Sequence, residues 1–128
     1  MNDRARRSVE KLLGTPLPQS TRAVFYERHQ PSGDLSMYTA WARVEMPKED
    51  APMLVSRLDM SHGGASAETD FLLSSGWNVF PEARPAWFAI REPSDRAVAR
   101  PFGVNGWLVA DYADGALLIL ATDTGCSP

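Results

Sequence analysis

The chain has 128 residues, 44% hydrophobic and 23% charged, which suits one globular domain spanning 1–128. Thirteen basic residues against 16 acidic ones give a formal net charge of -3. That balance excludes a strongly basic nucleic-acid wrapper and a polyacidic tail. The single cysteine, Cys126, excludes an internal disulfide framework and a multi-cysteine metal site.

Residues 3–13 read as a short amphipathic helix, with Ala5, Val9, Leu12 and Leu13 at helical spacing. Asn2 or Asp3 caps its start, Gly14 supplies a left-handed exit and Pro16 blocks continuation. Arg4, Arg7 and Lys11 then fall together on the exposed side, with Ser8 beside them. Residues 21–28 form a strand candidate through Val24, Phe25 and Tyr26. After a turn signal at 31–34, residues 35–46 read as a longer strand, and the two pair as an antiparallel hairpin. Tyr38, Ala40, Ala42 and Val44 form one face of that strand, and Trp41 stands with Arg43 on the more polar one.

Residues 47–60 read as a helix with proline in its first turn, and 66–75 as a second short helix stopped by Gly76. Residues 77–85 read as a proline-stiffened loop, 86–91 as an apolar strand and 92–105 as a long exposed connection. The clearest hairpin joins 106–112 to 116–121 across Asp114-Gly115. Leu117–Leu120 is apolar without alternation, the pattern of a central strand covered on both faces. Residues 122–128 read as a flexible tail. The expected fold is α+β, a two-layer sandwich. An antiparallel sheet of about five strands carries the N-terminal helix and two short central helices on one face.

Charge is uneven: residues 1–11 carry a balance of +2, and 101–128 carry three aspartates and no basic residue. Eleven of the 13 basic residues are arginine, whose fixed fork of donors suits contact surfaces. No apolar run of signal-peptide or membrane-span length occurs, so the expected location is the cytoplasm with no membrane partner.

Positive chemical motifs are few. No Gly-rich phosphate loop, His-Glu-x-x-His pattern, calcium loop or Gly-x-Ser-x-Gly elbow is present. Asp59-x-x-His62 supplies two of the ligands a metal needs and reads as a polar turn. Cys126 lies in the tail, where nothing holds it against a base, and reads as a free thiol. Glu27 and Glu45 would serve as paired carboxylates only if adjacent inside a cleft. No catalytic, cofactor-binding or metal residues are therefore assigned.

Four tryptophans, at 41, 77, 87 and 107, suit core packing first. Their second reading is as anchors, since tryptophan and arginine concentrate at the energetic centres of interfaces. The candidate partner-binding residues are Arg22, Arg28, Arg43, Trp41, Trp77 and Phe80. The reading is a non-catalytic interaction, inhibitor or immunity-type accessory protein that binds another protein or a second copy of itself. The alternative is a small enzyme or ligand binder with a cleft between the sheet and loops 77–85 and 92–105. A sheet surface of Arg22, Arg28, Arg43, Tyr26 and Trp41 has the residue types that bind single-stranded nucleic acid. The negative charge and the missing RNA-binding consensus argue against that use. The run Leu17-Pro18-x-Ser20-x-Arg22-x-Val24 before a hairpin resembles small bacterial proteins of unassigned function, and carries no catalytic residue.

Overall fold

The computed structural model describes residues 3–29, 38–58, 62–63, 84–88, 97–102, 106–113 and 115–123. Helix α1 spans Asp3–Leu13 and buries Ala5, Val9 and Leu13, spaced four apart on one stripe. Asp3 lies in the first turn and Lys11 in the last, matching the helix dipole. Gly14 adopts φ 73°, and its N–H donates to the Glu10 carbonyl at 2.8 Å, closing the helix in a left-handed cap.

The segment after α1 is tied back to the helix. Glu10 Oε2 accepts from the Leu17 N–H at 2.7 Å, and Arg6 donates to the Leu17 carbonyl at 3.2 Å. Arg6 also pairs with Glu10 at 3.6 Å, one helical turn away. These bonds satisfy polar groups beside the buried Leu17, so the loop packs without orphaned donors there.

Five further strands follow β1 (Ala23–His29): β2 (Tyr38–Glu45), the two-residue β3 (His62–Gly63), β4 (Val98–Phe102), β5 (Gly106–Ala113) and β6 (Ala116–Asp123). All pairings are antiparallel, in the order β1-β2-β6-β5-β4-β3. The domain is thus α+β, with one sheet, an N-terminal helix and a short second helix. The β1–β2 hairpin is present as expected, with Val24 opposite Val44 and Tyr26 opposite Ala42. So is the β5–β6 hairpin, whose last pair is Ala113 and Ala116 and whose turn includes Gly115 at φ 81°. Thr122 and Asp123, read as tail, extend β6; the rest of that tail, 124–128, lies outside the described residues.

Strand β6 sits between β2 and β5, and its residues Ala116–Ala121 are each 3% exposed or less. Alternation is absent because both faces are covered. On one face, Leu117, Ile119 and Ala121 join Val24, Ala40, Ala42, Val44, Leu108 and Ala110 under α1 and α2 (Ala51–Ser56). On the other, Leu118 and Leu120 join Trp41, Val109, Ala97, Ala99 and Phe88. The face expected to be more polar is therefore a second apolar layer. Trp41 is 0% exposed within it, and its indole N–H has no hydrogen-bond partner among the described residues.

Three expectations change. The helix read at 47–60 is a 3-10 turn at Lys48–Asp50 followed by α2. Pro52 is tolerated in its first turn, where no N–H partner is needed. The N–H groups of Arg57 and Leu58 bond three residues back, to Leu54 and Val55 at 3.0 Å, tightening the end after less than two turns. Residues 86–88, read as strand, are a turn in which the Phe88 N–H donates to the Pro85 carbonyl at 3.1 Å. The connection read at 92–105 contains β4. Among the described residues β3 pairs only with Val98 and Ala99, and Pro101 pairs with Trp107 of β5 on the other side. The second central helix read at 66–75 lies outside the described residues.

Gly106 fits where no larger residue can. A Cβ there would stand 1.7 Å from the Thr122 carbonyl oxygen, so backbone contact sets this residue type. Tyr112 Oη then donates to the Met46 carbonyl at 2.9 Å, pinning β5 to the start of the 3-10 turn.

Two packed faces predict similar penalties on both. Ile119→Ala and Leu120→Ala, measured by urea unfolding, should each cost about 2–5 kcal/mol. A Leu120→Ala penalty like that of a surface substitution would show the second face to be loosely packed.

Candidate functional site

A cleft of about 390 Å³ opens between α1 and the sheet. Ser8, Lys11 and Leu12 line it from the helix, Tyr26 and Arg28 from β1, and Phe102 from β4. Helical geometry explains the first group, since positions 8, 11 and 12 share one face at spacings of three and four. Strand alternation explains the second, since Tyr26 and Arg28 lie two apart on the α1 side of β1.

Strands β1 and β4 are four positions apart in the sheet, about 19 Å if it were flat. Long aromatic side chains and the twist of the sheet let both reach one cleft. The strands between them carry Ala40, Ala42, Ala110 and Ala121 on this face, and such short side chains seat the helix close to the sheet.

The chemistry of the lining is uneven in a useful way. Among the described residues it holds two cations, two hydroxyls and two apolar side chains, and no carboxylate. Burial pushes the Tyr26 phenol above its ordinary value of 10.0. Arg28 offsets part of that through its charge and a side-chain hydrogen bond. Tyr26 therefore keeps its proton at neutral pH. Lys11 is exposed at the rim, without an ion pair among the described residues.

Of the six residues read as a partner surface, the four that are described do not gather into one patch. Arg22 and Arg28 are exposed near opposite ends of β1, about 20 Å apart along an extended chain. Arg43 is half-buried on the second face, 3.4 Å from Glu45. Trp41 is enclosed in that layer and offers no surface to a partner. Trp77 and Phe80 lie outside the described residues. Glu27 and Glu45 are not cross-strand partners, because Glu27 stands opposite Trp41 and Glu45 opposite Ala23.

Phe25 was not among the candidates, yet it is 37% exposed between Arg22 and Arg28. Its ring lies 5.7 Å from that of the half-buried Trp87. Alternation in Val24-Phe25-Tyr26 carried the signal that Phe25 points away from the α1 side. The described cleft also differs from the one expected beside loops 77–85 and 92–105, although Phe102 comes from the second of those ranges.

Among the described residues no group of three or more His, Cys, Asp or Glu side chains could hold a metal ion. No helix among them is long and apolar enough to cross a membrane. No family model, curated protein or solved structure matches the chain.

The Tyr26 environment predicts a pH effect. A phenol whose folded-state value is raised favours folding below pH 10, and that contribution is lost as pH rises through the folded-state value. Stability of the parent chain should fall more steeply above pH 10 than that of Tyr26→Phe, measured by denaturant unfolding at stepped pH. Parallel curves would contradict the assignment.

Proposed function

We propose that the chain is a non-catalytic binding protein that engages a protein partner along β1. The observation that carries this reading is an exposed aromatic on an edge strand. Phe25 stays 37% exposed against Trp87 on the face away from α1, with the exposed Arg22 at the start of the strand. Exposed aromatics flanked by arginine are the side chains that most often dominate binding energy.

The position of β1 supports the same reading. It is the outer strand, and its free backbone edge has no strand partner among the described residues. An extended segment of a partner can pair with such an edge, the backbone bonds supplying affinity and Phe25 and Arg22 supplying choice. The partner surface thus keeps Arg22 of the sequence reading and replaces Trp41 with Phe25. An inhibitor or immunity role, a cytoplasmic setting and a bacterial source belong to this reading as proposals.

The test is affinity capture from the organism that makes the protein, followed by titration of the captured partner against purified variants. Phe25→Ala and Arg22→Glu should each weaken binding at least tenfold. Met53→Ala, which trims the other exposed large hydrophobic on α2, should leave it unchanged. Equal binding by all three variants would remove β1 as the contact surface.

A further inference from the structure

We propose that Met53 is a modification site, where the thioether accepts an oxygen atom from a hydroperoxide and Arg57 holds the sulfoxide that forms. Both residues belong to α2 and its C-cap, not to β1.

Helix geometry puts the sulfur in water. Ala51 and Leu54, three residues apart, are the buried stripe of α2. Met53 follows Ala51 by two positions, about 200° around the helix, and so stands on the opposite side. It is 54% exposed, whereas Met46 is 0% exposed in the core. A small dissolved oxidant therefore reaches the first thioether and is kept from the second.

Two contacts hold Met53 within the last turn. Its carbonyl accepts from Ser56 Oγ at 2.7 Å, and its sulfur accepts from Arg57 Nη2 at 3.6 Å. Arg57 is four residues on, the spacing at which helix side chains meet. A thioether is a weak acceptor, so this guanidinium nitrogen points at a poor partner.

Oxidation improves that partner. With hydrogen peroxide, a sulfur lone pair attacks one peroxide oxygen, and the S–O bond forms as the O–O bond breaks. The proton left on the transferred oxygen passes to the departing hydroxide, giving water. Sulfur loses two electrons and the peroxide gains them. The sulfoxide oxygen is a polar acceptor facing a cation, and such charge-assisted bonds shorten to about 2.7–2.9 Å. Oxidising a buried methionine disrupts a core, but at this exposed position it adds a bond across the turn where α2 ends. A sulfoxide reductase, drawing two electrons from thiols and releasing the oxygen as water, restores the thioether.

The test treats the full chain with hydrogen peroxide and follows each methionine by tryptic mapping. Cleavage after Arg43, Lys48 and Arg57 places Met46 in peptide 44–48 and Met53 in peptide 49–57. Met53 should gain oxygen at least tenfold faster than Met46 in folded protein, and at the same rate in urea-unfolded protein. Equal rates in folded protein would overturn the proposal. The second measurement is the urea midpoint before and after oxidation, in the parent chain, Arg57→Ala and Met53→Leu. The last variant subtracts oxidation elsewhere in the chain. Oxidation should raise the parent midpoint by roughly 0.2 M relative to its effect on either variant. An identical oxidation shift in all three would overturn the role given to Arg57.

Discussion

Burial of β6 on both faces is the constraint on which the rest of the structure depends. A strand enclosed on both sides cannot alternate, so Ala116 to Ala121 are all apolar and all excluded from water. Two layers are needed to cover it. Helices α1 and α2 lie on one side, and Phe88 with its neighbour Trp87 lies on the other. Strands β2 and β5 flank β6 and share the same requirement, which explains why Trp41 and Val109 are core residues.

The two layers solve the packing problem differently. The α1 side uses alanine at 40, 42, 110 and 121, so volume is supplied by the helices and the sheet side chains stay short. The other side uses large residues on the sheet itself, chiefly Trp41, Leu118 and Leu120. This difference shapes two surfaces. A helix seated on short side chains leaves a cleft at its margin, where Ser8, Lys11 and Tyr26 gather. The aromatic layer instead reaches the edge strand, where Phe25 meets Trp87 and remains exposed.

Much of this architecture was legible in the residues. Helix α1 follows from spacing and the Gly14 exit, and the β5–β6 hairpin from Asp-Gly between apolar runs. The central position of β6 follows from its unbroken hydrophobicity. Strand β4 was hidden because Arg100 and Pro101 interrupt its pattern, and a proline argues against a strand reading. The face of Trp41 was misjudged because Thr39, Arg43 and Glu45 share its parity. Arg43 and Glu45 are half-buried, Thr39 is buried, and the row through Trp41, Leu120, Val109 and Ala99 is the interior of the layer. The cleft was illegible as a whole. Its parts come from α1, β1 and β4, strands set apart in the sheet, so no local pattern places residue 102 with residues 8 and 26.

The proposed partner surface sits at a border of the two layers, where their covering ends. The arginines gain meaning from this placement: Arg28 points into a cleft, Arg22 flanks an edge and Arg43 is held by Glu45. Native-state hydrogen exchange of individual backbone amides tests the underlying claim most directly. If β6 is the enclosed centre, amides of Leu117–Ala121 should exchange only through global unfolding, with the highest protection in the chain, and those of Ala23–His29 should exchange faster. Protection of β6 no greater than that of β1 would contradict a fold built around a doubly covered strand.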